Sequence, residues 1–182
     1  MHGPIPAKQI RQSRGRSPGV CQLSGLGGSS YGFFVPYRRV RRIAGALEQW
    51  EATINLLVTD LSLSSTFSGF IPFVIDTATD VTIIPRKLVP PNAFPVREAV
   101  KPYFVPVEGL TGRTVVGRTF SASLAIVPPA AKYGGLGFNI LTIVVVDSWE
   151  GKYAMLGLDA IRRVVMVSDH DHVSFWPLPT GA

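Results

Sequence analysis

The chain has 182 residues, of which 46% are hydrophobic and 10% aromatic, and this composition excludes a globally disordered protein. Its net charge of +6 is concentrated in residues 1–47, which carry eight Lys or Arg and no acidic residue, whereas the rest carries ten Lys or Arg and twelve Asp or Glu. No apolar stretch approaches the roughly 20 residues of a membrane-spanning helix, and the basic N-terminus lacks the apolar core of a secretory signal. The single cysteine, Cys21, excludes an internal disulfide. We therefore expect a cytoplasmic, intracellular protein that makes no membrane contact.

The first 35 residues have the composition of a linker. A basic run at residues 14–19 contains Gly and Pro, and residues 24–32 are rich in Gly and Ser, which favours a flexible chain. We predict a flexible basic N-terminal extension over residues 1–35 and a folded domain over residues 36–182. A solvated tail is the simplest interpretation of the extension. Two functional alternatives stay open: a contact with nucleic acid or another anionic surface, and a pro-segment that the protein removes itself near residues 38–42.

Strands are predicted from residue 50 onward. Apolar residues occupy alternate positions from Ala52 to Val58, which is the pattern of a strand with one buried face. Residues 62–69 predict a polar connection, residues 70–75 a buried strand, and residues 81–84 a short strand that Pro85 ends. The prolines between residues 90 and 106 predict irregular, extended structure.

The second half of the chain predicts further strands and one helix. A turn at Gly109–Gly112 lies between apolar segments and predicts a hairpin that extends to residue 126. Beyond it the pattern predicts a buried strand at residues 138–146 and a short helix at residues 158–163. Two final strands are predicted at residues 164–167 and 173–176. Because strands far outnumber helices, we predict an all-β barrel with one short C-terminal helix.

Asp76 stands at the end of the predicted strand at residues 70–75, and small hydroxyl residues and a second apolar run follow it. Burying a lone ionised carboxylate is costly unless it is paired, hydrogen-bonded or protonated. The position therefore indicates either a carboxylate used for chemistry or one that caps backbone amides in a turn. This segment alone leaves both interpretations open.

Three segments in order resemble the retropepsin-like aspartic proteases. Asp76–Asp80, which reads Asp-Thr-Ala-Thr-Asp, is similar to the family's Asp-Thr/Ser-Gly active-site segment. Gly109–Gly112, together with Val115–Arg118, resembles the flap hairpin that closes over substrate. Met155–Asp159, which reads Met-Leu-Gly-Leu-Asp, is close to the Leu-Leu-Gly-Leu-Asp of cellular members. The resemblance covers residues 50–176 and implies a retropepsin-like acid-protease barrel.

The resemblance implies a homodimeric aspartic endopeptidase to which each chain contributes one catalytic residue, Asp76. In this chemistry two carboxylates about 3 Å apart share one proton, because two adjacent negative charges repel each other. The ionised carboxylate takes a proton from a water that attacks the peptide carbonyl, and the protonated one polarises that carbonyl. The pH profile of activity is then expected to be bell-shaped and on the acid side.

The resemblance also assigns the other site residues. Thr77 is expected to hydrogen-bond across the twofold axis, and Asp80 to be a structural or subsite carboxylate with Arg86 or Arg162 as a possible partner. Gly157 and Asp159 are implied as structural residues near the site. The implied active-site loop consists of Thr77, Ala78, Thr79 and Asp80. The implied flap, which binds substrate, consists of Gly109, Leu110, Thr111 and Gly112.

The implied partners are a second copy of the chain and a peptide or protein substrate, and no cofactor is implied. His170 and His172 supply too few ligands for a zinc site even with Asp169, so they predict a solvated turn and no metal is expected. In viral relatives the chain termini interleave into a sheet between subunits, and residues 173–178 are the candidate for that role here.

Ala78 departs from the family pattern, which has glycine at this position. A shift of about 1 Å at the reacting groups would cost roughly a hundredfold in rate. If the position required a positive φ, the alanine would cost about 1 kcal/mol. The alternative to an active peptidase is therefore a catalytically weak or inactive retropepsin-like module that dimerises or binds peptides.

Overall fold

A computed structural model describes residues 19–25, 28–40, 49–107, 113–127, 135–149 and 151–178. Within these ranges the protein is nearly all-β, as predicted, with eleven strands and one short α-helix, α1, at Leu158–Ile161. The residues 1–18 of the predicted extension and the predicted flap turn Gly109–Gly112 lie outside the described ranges. The strands, in chain order from β1 to β11, are Gly19–Gly25, Gly28–Val40, Gln49–Asp60, Ser68–Ile75, Ile83–Pro85, Pro102–Val107, Arg113–Ile126, Leu136–Val146, Ala154–Leu156, Val165–Ser168 and His172–Trp176.

Six of the strands close into a barrel in the order β3-β4-β9-β5-β8-β7. The closure depends on β3, which pairs antiparallel with β4 along one edge and with β7 along the other. Two pairs in the ring, β4 with β9 and β5 with β8, are parallel. Because the ring is closed, none of its long strands leaves a free edge at this part of the sheet. None of the helices in the described ranges is long and apolar enough to span a membrane.

The barrel interior is filled by the alternate residues that the sequence pattern indicates. Ala52, Ile54, Leu56 and Val58 of β3 are all buried, as the alternation predicts. Large side chains from the other strands complete this core, among them Ile71, Phe73, Ile84, Phe120, Leu124, Leu141, Ile143 and Leu156.

The N-terminal segment differs from its prediction. Residues 19–35 were expected to be flexible, but β1 and β2 form an antiparallel hairpin there. β2 also pairs with β11 and then with β3, so it joins the C-terminal hairpin to the barrel. Phe33 and Val35 belong to the main core. The composition, rich in glycine and serine, predicts a linker, but β11 and β3 pair with β2 and so hold it in the sheet. Such pairing between distant segments is not visible in local composition.

The segment rich in prolines is attached to the barrel by a buried carboxylate. Asp60, at the end of β3, accepts hydrogen bonds from the backbone of Phe94 (2.5 Å) and from both the amide and the hydroxyl of Ser62 (2.9 and 2.6 Å). Burial acts to raise the pKa of Asp60, but these hydrogen bonds together lower it below its ordinary value. Phe94 has a φ of 49°, a conformation that side chains rarely adopt, and the bond to Asp60 helps to hold it.

Replacing Phe33 by alanine is expected to lower the free energy of unfolding by about 3–5 kcal/mol, because it removes a large side chain from the core. Phe70 on β4 is 61% exposed, and the matched Phe70→Ala variant is expected to change stability by about 0.5 kcal/mol or less. Urea denaturation of both variants measures the difference. Equal stability of the two would show that β2 is not part of the folded core.

Candidate functional site

The carboxylate of Asp76 is held by two donors in the turn that follows β4. The backbone amide of Ala78 donates to Oδ1 (2.9 Å), and the hydroxyl of Thr79 donates to Oδ2 (2.8 Å). The amide of Asp76 itself donates to the carbonyl of Leu156 in β9 (3.1 Å). The side chain is therefore fixed in direction, with each oxygen bonded on one side and the residue only partly buried.

Ala78 lies in this turn without backbone strain. Within the described ranges Phe94 is the one non-glycine residue with a positive φ, so Ala78 adopts a conformation that is ordinary for alanine. Thr77 and Ala78 are both exposed. The methyl group of Ala78 therefore faces no conformational cost in the single chain, and any effect of it on function comes from what approaches the loop.

The segment from Leu156 to α1 supports the turn from the other side. Gly157 fits only because it lacks a side chain: a Cβ there would lie 2.5 Å from the carbonyl carbon and oxygen of Val81. The amides of Leu158 and Asp159 donate to the carbonyls of Thr79 (2.8 Å) and Asp80 (3.1 Å), respectively. The amides of Leu158 and Asp159 thus bond the Asp76 turn, and Gly157 lies against the backbone that follows it.

Thr82 is a residue of this arrangement that the sequence analysis missed. It is fully buried, its hydroxyl donates to Asp159 Oδ1 (2.7 Å), and it accepts a hydrogen bond from the amide of Gly157 (3.2 Å). The available signal was a single polar residue within the apolar run at residues 81–84. A buried hydroxyl in such a run needs partners, and these partners join the two segments that shape the site.

A second apolar cluster borders the Asp76 turn on the outer face of the barrel wall. Ile83, Val144 and Val146 alternate with residues of the main core, so they project from the opposite face of the sheet, yet all three are buried. Val81, Val115, Trp149 and Met155 pack against them. Met155 reaches the site itself, because its sulfur lies 3.9 Å from the hydroxyl of Thr79. The continuous apolar run at residues 143–146 was the signal that both faces of β8 are covered.

Neither Arg86 nor Arg162, the two possible partners named for Asp80, pairs with it in the described part of the chain. Arg86 instead donates to Asp147 (3.1 Å) and to the carbonyls of Ala93 and Phe94 (2.6 and 3.0 Å), which attaches the segment rich in prolines to the end of β8. In the part of the chain that is described, no ion pair joins Asp80 to Arg162 either. Asp80 is exposed at the end of the Asp76 turn.

The turn at residues 169–172 is built around Asp169. Its Oδ1 accepts the amides of Asp171 (2.8 Å) and His172 (2.9 Å) and lies 3.1 Å from Nδ1 of His172. Partial burial acts to raise the pKa of Asp169, but the two amides and the neighbouring histidines lower it overall. No group of three or more metal-binding side chains occurs in the described ranges.

Residues 173–178 were the candidate for a sheet that interleaves between subunits. In the structure β11 already pairs with β10 along one edge and with β2 along the other. Both of its edges are therefore occupied within one chain, and this expectation is wrong for β11.

Thr82→Val is expected to lower the free energy of unfolding by about 1–3 kcal/mol, because it leaves the buried amide of Gly157 without its partner and removes one of the two donors to Asp159 Oδ1. Thr66 is exposed, and Thr66→Val serves as the matched control with an expected change of about 0.5 kcal/mol or less. Chemical denaturation measures both. A Thr82 variant as stable as the control would contradict the role given to this hydroxyl.

The sequence matches no protein-family model and no curated protein. Among solved structures, the chain is similar to a retropepsin-like aspartic protease from Rickettsia conorii, with a TM-score of 0.49 and 13% sequence identity over 88% of this chain and 94% of that chain. Similarity of this degree establishes neither membership of a family nor an activity.

Proposed function

We propose that the chain is an aspartic endopeptidase whose active site is completed by a second copy of itself. The observation that carries the proposal is the geometry of Asp76: a partly exposed carboxylate, held by Ala78 and Thr79 at the end of a barrel strand. One carboxylate of this kind is half of the pair that the chemistry needs. The exposed residues Thr77 and Ala78 leave room for a second loop to approach.

In the proposed dimer the two Asp76 side chains face each other across a twofold axis and share one proton. The ionised carboxylate removes a proton from a water molecule, which attacks the carbonyl carbon of the peptide bond. The protonated carboxyl donates its hydrogen bond to the carbonyl oxygen, on which negative charge develops. The donors from Ala78 and Thr79 keep each carboxylate in place, so little reorganisation is required during the reaction.

The proposed substrates are extended peptides with apolar side chains beside the bond that is cut. Support for this comes from the partly buried residues that pack against the second apolar cluster, since one of them, Met155, also reaches Thr79 beside the Asp76 carboxylate. The cluster also includes a partly buried Trp149. An apolar side chain bound beside it would remove more apolar area from water than a polar one.

Self-processing of the N-terminus is proposed only upstream of β1. Arg38 lies within β2, and cleavage near residues 38–42 would separate Phe33 and Val35 from the chain that carries the rest of the core. A segment that is removed without loss of the fold would have to end before Gly19.

A second candidate function is a module with the same dimeric architecture that binds peptides without cutting them. The observation in its favour is Ala78, whose methyl group is exposed next to the carboxylate, where a second loop or a substrate would approach. Crowding there would displace the reacting groups without disturbing the single chain.

Purified protein is expected to cleave members of a mixed peptide library with a maximum on the acid side of about pH 3–7, the range in which a carboxylate pair works. Asp76→Asn is expected to reduce the rate by at least about a hundredfold, because it removes the general base and acid. Mass spectrometry of the products measures both, with Glu98→Gln, a carboxylate on a surface turn, as the matched control.

Three outcomes separate the candidates. Cleavage by the parent and the Glu98 variant but not by Asp76→Asn supports the peptidase. Cleavage that appears only in an Ala78→Gly variant supports the inactive module. Equal cleavage by the parent and by Asp76→Asn would contradict any catalytic role for this carboxylate.

A further inference from the structure

Among the strands that the structure describes, β10 ends the sheet, and one of its edges has no partner strand. In the described part of the chain this strand pairs only with β11, in the register that places Val165 opposite Trp176 and Ser168 opposite Val173. An open edge offers unpaired amides and carbonyls to any other strand that reaches it.

The direction of the backbone groups on β10 follows from its contacts with the β11 side. The amide of Asp169 donates to the carbonyl of His172 (3.1 Å), and the carbonyl of Val167 accepts the hydroxyl of Ser174 (3.3 Å). Backbone groups alternate in direction along an antiparallel strand. The odd-numbered residues therefore direct theirs toward β11, and Met166 and Ser168 direct theirs toward the open edge.

The edge of β10 lacks the prolines and charged side chains that often block such edges. β6, the strand at the opposite end of the sheet, carries Pro102 and Pro106, which have no amide to donate. β10 has neither a proline nor a charged residue. Val165 and Val167, which share one face of the strand, are 37% and 52% exposed. The strand is thus both open and apolar on its outer face.

Charges of opposite sign flank the two ends of β10. Arg162 and Arg163 precede it and are exposed, and Asp169 and Asp171 follow it and are exposed as well. A strand with basic residues at one end and acidic residues at the other is complementary in charge to an antiparallel copy of itself.

We propose that β10 of one chain pairs antiparallel with β10 of a second copy, so that the sheets of two chains become continuous across a twofold axis. Two registers pair the open backbone groups of Met166 and Ser168. Centred on Met166, the pairing sets Val165 opposite Val167 of the second copy and Arg163 opposite its Asp169. Centred on Val167, it sets Arg163 opposite Asp171 of the second copy. The first register sets the two valines of one strand against those of the other, whereas the second sets Val167 against its own copy and Val165 against Asp169 of the second copy. Both registers place Arg163 opposite an aspartate.

This interface rests on the proposed function in one respect: the pairing of the two β10 strands is taken to bring two Asp76 turns together. The chain connects the two features closely: Leu156, which bonds the amide of Asp76, is followed directly by Gly157, α1 and then β10. The observations on β10 do not involve Asp76, so the interface and the catalysis can be tested separately.

Sedimentation velocity of the full-length chain over a range of concentrations tests the interface. The parent is expected to dimerise, and Val167→Lys and Arg163→Glu are each expected to raise the dimer dissociation constant about tenfold or more, because the symmetry introduces each change twice. The matched controls are Val96→Lys and Arg97→Glu, which alter exposed residues on a surface turn and are expected to leave the constant unchanged. Asp76→Asn is expected to remain dimeric while losing peptidase activity.

The outcomes distinguish the two proposals. Unchanged dimerisation of both Val167→Lys and Arg163→Glu would overturn the β10 interface and leave the peptidase proposal standing. A Val167→Lys protein that is monomeric yet fully active would support the interface and overturn catalysis by a shared carboxylate pair. A parent that stays monomeric at every concentration would overturn both.

Discussion

The position of one carboxylate depends on the junction between β4 and β9. The amide of Asp76 bonds to the carbonyl of Leu156, and Gly157 then passes so close to Val81 that no side chain fits. Thr82, within the barrel wall, bonds both the amide of Gly157 and the carboxylate of Asp159. Because the turn is fixed from two sides, Ala78 and Thr79 are in place to hold both oxygens of the carboxylate. The remaining features of the proposed site follow from this junction.

In the proposed function, a single chain supplies one of the two carboxylates that the chemistry needs, and the proposed β10 interface brings the other. In this proposal, the partly buried residues around the second apolar cluster, Met155 among them, bind substrate, but one carboxylate cannot act as base and acid in the same step. Among the described strands β10 has an edge without a partner, and in the proposed interface a second copy pairs with that edge. Association and catalysis are linked in this account by the short stretch of chain that runs from β9 through α1 to β10.

Part of this architecture could be predicted from the sequence because it is encoded locally. The alternation in β3 and the Asp76–Asp80 pattern each show themselves within a few residues. What the sequence concealed depends on pairing at long range. β2 is a core strand despite its neighbouring linker-like composition, because β3 and β11 provide its partners. Thr82 and the binding of Arg86 to Asp147 likewise depend on contacts between segments more than 60 residues apart.

The meeting of two Asp76 turns can be tested most directly by a disulfide between copies. In a Cys21→Ser background, which removes the single native cysteine, Thr77→Cys places one thiol on each exposed turn. If the turns meet on a twofold axis, the two thiols lie close to each other, and a disulfide forms when their Cβ atoms approach within roughly 3.5–4.5 Å. Mild oxidation followed by mass analysis is then expected to give a covalent dimer that a reductant dissolves. Cross-linking no greater than that of a Thr66→Cys control would contradict the account.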